Sequence, residues 1–176
     1  PAKRLPEIAF AGKSNVGKSS VINRLLQRKS MAKVGDKPGK TVHVNYFLLD
    51  KQCYLVDLPG YGFAKVPQAE KDRWAKLMED YFAANRITLG VLIVDYRHPP
   101  TNNDITMAKW FLDSGCPFVV LANKKDKLKK SELEPNLALI RQDLELPENC
   151  PVIPFSAEKG DGRDELVKQI LRAVKI

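Results

Sequence analysis

The chain has 176 residues, 44% hydrophobic and 28% charged, enough to enclose one full-sized core and far from collagen-like, low-complexity or disordered compositions. Twenty-nine Lys and Arg against twenty-one Asp and Glu give a net charge of +8, an excess that favours polyanionic partners such as RNA, nucleotide phosphates or acidic membranes. Cys53, Cys116 and Cys150 are odd in number and form no Cys-x-x-Cys or Cys/His cluster, so they read as reduced core residues of a cytosolic compartment, without a structural zinc.

In chain order, short β-rich apolar runs alternate with segments of helical period, the pattern of a three-layer α/β protein with a six-stranded, mainly parallel sheet and helices on both faces. Strands are expected at Glu7 to Ala11, His43 to Leu49, Gln52 to Asp57, Leu89 to Asp95, Phe118 to Asn123 and Val152 to Phe155. The fourth and fifth are apolar almost throughout, as strands covered on both faces should be. Helices are expected at Lys18 to Arg28, Ala69 to Ala84, Asn103 to Ser114, Ser131 to Leu144 and Arg163 to Val174. In the last, Leu166, Ile170 and Val174 repeat at helical spacing and form one stripe. Two connections, Lys29 to Val42 and Leu58 to Gln68, are long and rich in Gly, Pro and Lys, and segments of that kind are expected to be functional or mobile rather than structural filler. The longest apolar stretch, Leu89 to Val94, is interrupted by Gly90 and falls far short of the roughly 20 residues that cross a bilayer. One domain over residues 1–176 and no membrane partner are expected.

After the first strand comes Gly12-Lys13-Ser14-Asn15-Val16-Gly17-Lys18-Ser19, followed by Ser20, which fits GxxxxGK[ST] and opens a helix. The chemistry suits phosphate. Glycines let the backbone wrap the anion, amide N–H groups and the helix N-terminus point at it, Lys18 supplies a point charge and the Ser19 hydroxyl is a Mg2+ ligand. A chain of this length matches the pattern by accident roughly once in 150 to 200 cases. Asp57 ends the run Tyr54-Leu55-Val56 and precedes Leu58-Pro59-Gly60; at the C-terminal end of a parallel strand it stands opposite the phosphate loop as a second Mg2+ residue. Alone, that string is an ordinary turn.

Asn123-Lys124-Lys125-Asp126 closes the fifth strand. A carboxylate at Asp126 accepts from both the ring N–H and the exocyclic amine of guanine, whereas adenine offers an acceptor and no amine there. Lys124 can lay its stem along the base, and Asn123 ties the loop to the phosphate-binding strand. Phe155-Ser156-Ala157 follows the last strand, where the small Ala157 lets its N–H approach a purine carbonyl. As isolated strings the last two are solvated loops; in one order, each at a strand end, they form a set.

With these motifs in place the chain resembles the P-loop GTPases of the translation-factor-related class. More narrowly, Gly39-Lys40-Thr41, the string from Asp57 through Pro59-Gly60-Tyr61-Gly62-Phe63-Ala64-Lys65-Val66, and Asp95-Tyr96-Arg97-His98-Pro99-Pro100 are similar to the bacterial ribosome-biogenesis GTP-binding family called EngB, YihA or YsxC. Members of that family often carry Thr where this chain has Asn123. The resemblance implies binding and hydrolysis of GTP with Mg2+, release of GDP, and association of a cytoplasmic monomer with the precursor of the large ribosomal subunit, its rRNA and ribosomal proteins. It also implies roles for Lys18, Thr41 and Gly60 in hydrolysis, with Thr41 joining Ser19 and Asp57 at Mg2+ when the third phosphate is bound, and offers Asn15 as a K+ ligand.

Ras-like GTPases place a water-orienting Gln immediately after the D-x-x-G glycine. Here that position is Tyr61, and a phenol lacks the amide's paired donor and acceptor. Slow intrinsic turnover is therefore expected. Arg28, Lys29, Lys33, Lys37 and Lys40 crowd the first long connection, and Lys124, Lys125, Lys127, Lys129 and Lys130 crowd the base-reading loop, two patches suited to rRNA phosphates or to the nucleotide alone. Trp74, Leu77, Met78 and Tyr81 read as a helix face packed on the sheet, and neither His43 nor His98 has a catalytic partner nearby in sequence. Two rival readings remain: a P-loop ATPase or nucleotide kinase, which has no use for Asn123 to Asp126, and a nucleotide-holding RNA- or ribosome-binding scaffold with negligible turnover.

Overall fold

A computed structural model describes residues 4–27, 43–62 and 66–174. The elements run β1 (Glu7–Gly12), α1 (Lys18–Leu26), β2 (Asn45–Leu49), β3 (Cys53–Asp57), α2 (Gln68–Ala83), β4 (Ile87–Asp95), α3 (Asn102–Ser114), β5 (Phe118–Asn123), α4 (Lys130–Asp143), β6 (Val152–Phe155) and α5 (Arg163–Val174), with a short 3-10 turn at Lys125–Lys127. The six strands form one sheet in the order β2-β3-β1-β4-β5-β6. Only β2 runs antiparallel to its neighbour, pairing Phe47 with Leu55; the other strands are parallel. This is the expected architecture, with shifted edges. Helix α1 stops short of Arg28 because Gln27 turns left-handed, φ 54°, and caps the helix. Strand β2 starts at Asn45 rather than His43, and β4 at Ile87 rather than Leu89.

Because side chains alternate along a strand, a sheet covered on both faces must be apolar at every position. Strands β1 and β5 are buried throughout, and their residues divide between two cores. Ala9, Ala11, Val120 and Ala122 face Met78, Tyr81, Met107, Phe111 and Ile140 of α2, α3 and α4. Ile8, Phe10, Val119 and Leu121 face Val21, Ile22, Leu25, Leu166 and Ile170 of α1 and α5. The stripe expected in α5 is thus buried at Leu166 and Ile170. Glu7 is a buried carboxylate at the start of the central strand; its Oε1 accepts from the Tyr81 hydroxyl at 2.9 Å. Cys53 and Cys150 are buried, Cys116 is half-buried, and all three are free thiols.

Gly90 interrupts β4 for a reason of volume. A methyl there would lie 2.4 Å from Cε1 of Phe111, and that ring is already stacked on Phe118 at 5.4 Å and set edge-on to Phe82 at 5.3 Å. The ring has nowhere to go. Gly90→Ala is expected to cost about 1–3 kcal/mol by overpacking, read as a lower urea midpoint at unchanged slope; an unchanged midpoint would contradict this account.

Candidate nucleotide-binding site

The parallel strands end on one side of the sheet, and the singled-out residues of the described chain gather there. From the end of β1, Gly12 leads into a loop in which Asn15 (φ 67°) and Gly17 (φ 97°) are left-handed. Gly17 then acts as the cap position of α1, with no side chain capping the helix, so the first-turn amides of α1 and its positive end face the loop. Val16 is buried in the α1 core, whereas Lys13 is exposed and Ser14, Ser19 and Ser20 are partly exposed. Lys18 Nζ, on the first residue of α1, pairs directly with Asp57 Oδ1 at the end of β3. Asp57 is 8% exposed, so this ion pair is largely screened from water, and removing one partner would leave the other's charge uncompensated. A phosphate bound in the loop would give Lys18 a second anionic partner and leave the Asp57 carboxylate to a cation.

Ser19 and Asp57 together present a hydroxyl and a carboxylate, hard oxygen donors of the kind Mg2+ takes alongside phosphate oxygens. These residues fit the ion. Leu58 is fully buried under the sheet end, so of the following turn only the backbone and Pro59-Gly60 reach the open side. A methyl on Gly60 would sit 3.5 Å from Ser14 N and Cα, which places this turn directly against the phosphate loop.

On the other flank, Asn123 is 3% exposed and makes two long-range bonds. Its Nδ2 donates to the carbonyl of Val16 at 3.0 Å, and its Oδ1 accepts from the Ala157 N–H at 3.3 Å. One side chain therefore ties together β5, the phosphate loop and the loop after β6, the tie expected of it. Lys124, left-handed at φ 78°, donates from Nζ to the carbonyl of Asn15 at 3.3 Å and so reaches across to the loop after β1. Asp126 Oδ1 accepts from the Ser156 hydroxyl at 2.8 Å, and that hydroxyl oxygen accepts from the Lys159 N–H at 3.0 Å. Desolvation pushes the Asp126 carboxyl up, but the Ser156 hydroxyl, a backbone N–H and the Lys127 ammonium together outweigh it and hold the group below its ordinary value. Phe155 is wholly buried, and Ser156 is buried beside it. Lys125 pairs with Asp161 at 3.8 Å and Lys127 with Glu158 at 3.6 Å. Three of the five lysines crowding this loop thus have local partners, while Lys129 and Lys130 are exposed.

Gly39, Lys40 and Thr41 lie outside the described residues, as do Arg28, Lys29, Lys33 and Lys37. Several residues that complete the site had no such role in the sequence reading. Asp95, at the end of β4 and level with Asn123 in the sheet, accepts two side-chain bonds from Arg97 at 3.0 and 2.9 Å and lies 3.8 Å from Lys124. Desolvation raises its pKa, yet the Arg97 guanidinium, the Arg97 N–H and Lys124 more than offset that and keep it low. Arg24 of α1 donates to the carbonyls of Ala157, at 2.7 Å, and Glu158. Arg163 of α5 donates in turn to the carbonyls of Arg24 and Leu25. Asp95 was traceable as a further carboxylate at a strand end; the two arginines carried no local signal.

The Tyr61 side chain turns away from this surface. It is 5% exposed, packs edge-on to Trp74 with centroids 6.4 Å apart, and donates its hydroxyl to Asp104. Trp74, Met78 and Tyr81 line the inner side of α2 as expected, and Trp74 Nε1 also donates to the carbonyl of Pro59 at 3.1 Å.

A family model described as 50S ribosome-binding GTPase matches residues 7–124. The chain is 47% identical over 167 residues to the probable GTP-binding protein EngB of Syntrophomonas wolfei subsp. wolfei, across 94% of this chain and 86% of that protein. It is 47% identical over 171 residues to the probable GTP-binding protein EngB of Clostridium beijerinckii, across 97% and 86%. Among solved structures, a crystal structure of a probable GTP-binding protein engB superposes with a TM-score of 0.79 at 27% identity, covering 96% of this chain and 98% of that one.

Proposed function

The chain belongs to the EngB family of P-loop GTP-binding proteins, and on that premise we propose that it hydrolyses GTP slowly and serves as a nucleotide-switched factor in assembly of the large ribosomal subunit in the cytoplasm. The observation that carries the nucleotide part is the convergence of Lys18 and Asp57 on one flank and Asp126, Ser156 and Ala157 on the other, with Asn123 joining them. On this reading a guanine base lies along the Lys124 stem with its N–H groups on Asp126 and its carbonyl toward the Ala157 N–H, and its phosphates extend over the amides of Gly17 and Lys18.

Ser19 and Asp57 are the residues that would hold Mg2+, which supplies charge neutralisation to the outer phosphates when bound. Lys18 moves its charge from Asp57 to the phosphates, and the Gly60 N–H addresses the third of them. The buried Tyr61 leaves no amide side chain to orient water, which supports slow intrinsic turnover and acceleration by a partner or by K+ beside Asn15. No helix of the described residues is long and apolar enough to cross a membrane.

The test is sedimentation of the protein with precursor large subunits in GDP and in a non-hydrolysable GTP analogue over a salt series, beside turnover in K+ and in Na+. Association is expected only with the analogue and to weaken steeply with salt, as phosphate contacts require; turnover is expected to be slow and faster in K+. Association that ignores both nucleotide and salt would overturn the ribosomal reading. Absent turnover even with particles would favour the scaffold, and equal rates in the two cations would remove K+.

A further inference from the structure

Beyond β1 and β3 the sheet continues by one more rung, between the phosphate loop and the turn that carries Gly60. The Tyr61 N–H donates to the Gly12 carbonyl at 3.3 Å, and the Ser14 N–H donates to the Tyr61 carbonyl at 2.7 Å. Behind the rung, the Tyr61 hydroxyl is held by Oδ1 of Asp104. Asp104 is 4% exposed, and its Oδ2 accepts the Thr101 N–H at 2.9 Å at the start of α3. Trp74 fixes the preceding Pro59 carbonyl. The backbone of this turn is therefore anchored to α2 and α3 on one side and lies on the phosphate loop on the other.

We propose that Tyr61 and Asp104 are positioning residues that set the preference between nucleoside di- and triphosphate, by holding the Tyr61 carbonyl on the Ser14 amide as a latch. The inference rests on the reading of Gly12 to Ser19 as the phosphate loop and of Gly60 as the neighbour of the third phosphate. A carbonyl oxygen carries the negative end of its dipole, so in the latched form the rim of the loop offers an acceptor where a third phosphate needs donors. The Ser14 amide is also already engaged. A diphosphate lying deeper, on Gly17 and Lys18, does not meet this oxygen. A triphosphate has to lift the Tyr61 carbonyl from Ser14, and the side-chain anchor in the α2–α3 layer resists that movement. The latch thus taxes the triphosphate selectively, by the differential affinity of the two arrangements.

The experiment is titration of fluorescent GDP and of a fluorescent non-hydrolysable GTP analogue against wild type, Tyr61→Phe, Asp104→Asn and, as a control confined to the helix cap, Thr101→Ala. Tyr61→Phe keeps the ring and removes only the donor to Asp104; it is expected to raise the affinity for the analogue relative to GDP by about tenfold, the scale of one hydrogen bond to a charged group. Asp104→Asn leaves an oxygen that accepts from Tyr61 but removes the charge, so it should move the ratio the same way by less than Tyr61→Phe, and Thr101→Ala should leave it unchanged. Equal shifts for both nucleotides, as a merely structural role would give, or a shift toward GDP would overturn the proposal. The wild type supplies a readout free of substitutions: because Trp74 is bonded to the latched turn, tryptophan emission is expected to differ between analogue and GDP complexes, and identical emission would also overturn it. Competition by ATP as effective as by GTP would instead strike the guanine reading, while the di- to triphosphate ratio would still decide the latch.

Discussion

Asp126→Asn is expected to abolish the preference for guanine, with GDP and GTP affinities falling by about 10²–10⁴ and xanthine nucleotides binding in their place. The magnitude is that of two hydrogen bonds to a charged acceptor, each about 1.5–3 kcal/mol. An amide at this position keeps its oxygen for the ring N–H but turns its NH2 on the exocyclic amine of guanine, donor against donor, while xanthine presents in place of that amine a carbonyl that the amide can meet. The effect should be confined to recognition, because the Ser156 hydroxyl can donate equally to an amide oxygen in the place of Asp126 Oδ1. Competition of GTP, ATP and XTP against a fluorescent nucleotide measures it, and retained guanine preference in the variant would remove Asp126 from the base site. The depressed pKa of Asp126 adds a sign. A carboxyl whose folded pKa is lowered keeps its charge as pH falls, so guanine affinity should stay flat from neutral pH to about pH 5 and decline only as pH drops through the lowered value.

Lys18→Met is expected to reduce turnover by about 10²–10³, the scale of removing one preorganised charge from an anionic transition state, and to weaken nucleotide binding with it. It should also destabilise the free protein. The nearly buried Asp57 loses its ion-pair partner, a cost of about 1–3 kcal/mol for an unpaired polar group. The two effects separate in the double variant. Asp57→Asn in the Lys18→Met background removes the stranded charge and should restore the urea midpoint, yet it should restore no turnover, since both residues serve the phosphate site. Recovery of turnover together with stability would mean that Lys18 matters for packing alone.

The layered fold was readable because strands buried on both faces must be apolar at every position, as Phe118 to Ala122 are and as Val91 to Val94 are in β4. Strand and helix ends were less readable. Gln27 closes α1 with a left-handed cap that its residue type does not announce, and β4 reaches back through Thr88 to Ile87, where polarity suggests a loop. The motif residues of the candidate site were legible since each sits at a strand end and carries its chemistry in its own side chain or backbone. What escaped were pairings between residues that look ordinary alone. Tyr61 reads as a missing glutamine until Asp104 is seen beneath it; Arg24 reads as a surface charge on a helix until the carbonyls of Ala157 and Glu158 are found at its end. Such pairs join chain segments that only the assembled sheet brings together.

The bond between Arg24 and Ala157 spans 133 residues, and the bond between Asn123 and Val16 spans 107. Strand β1 itself lies mid-sheet, between β3 and β4. During synthesis the segment Gly12 to Ser19 therefore leaves the ribosome soon before Asp57 and Tyr61 but long before Asn123, and contacts of such long sequence separation form late in folding. A nascent chain released before Phe155 should have no complete base site and no carbonyls for Arg24 to clamp. Nucleotide has nothing to grip in such a fragment, so competence to bind should arise in one step, as β6 and α5 dock, rather than build up as the polypeptide lengthens.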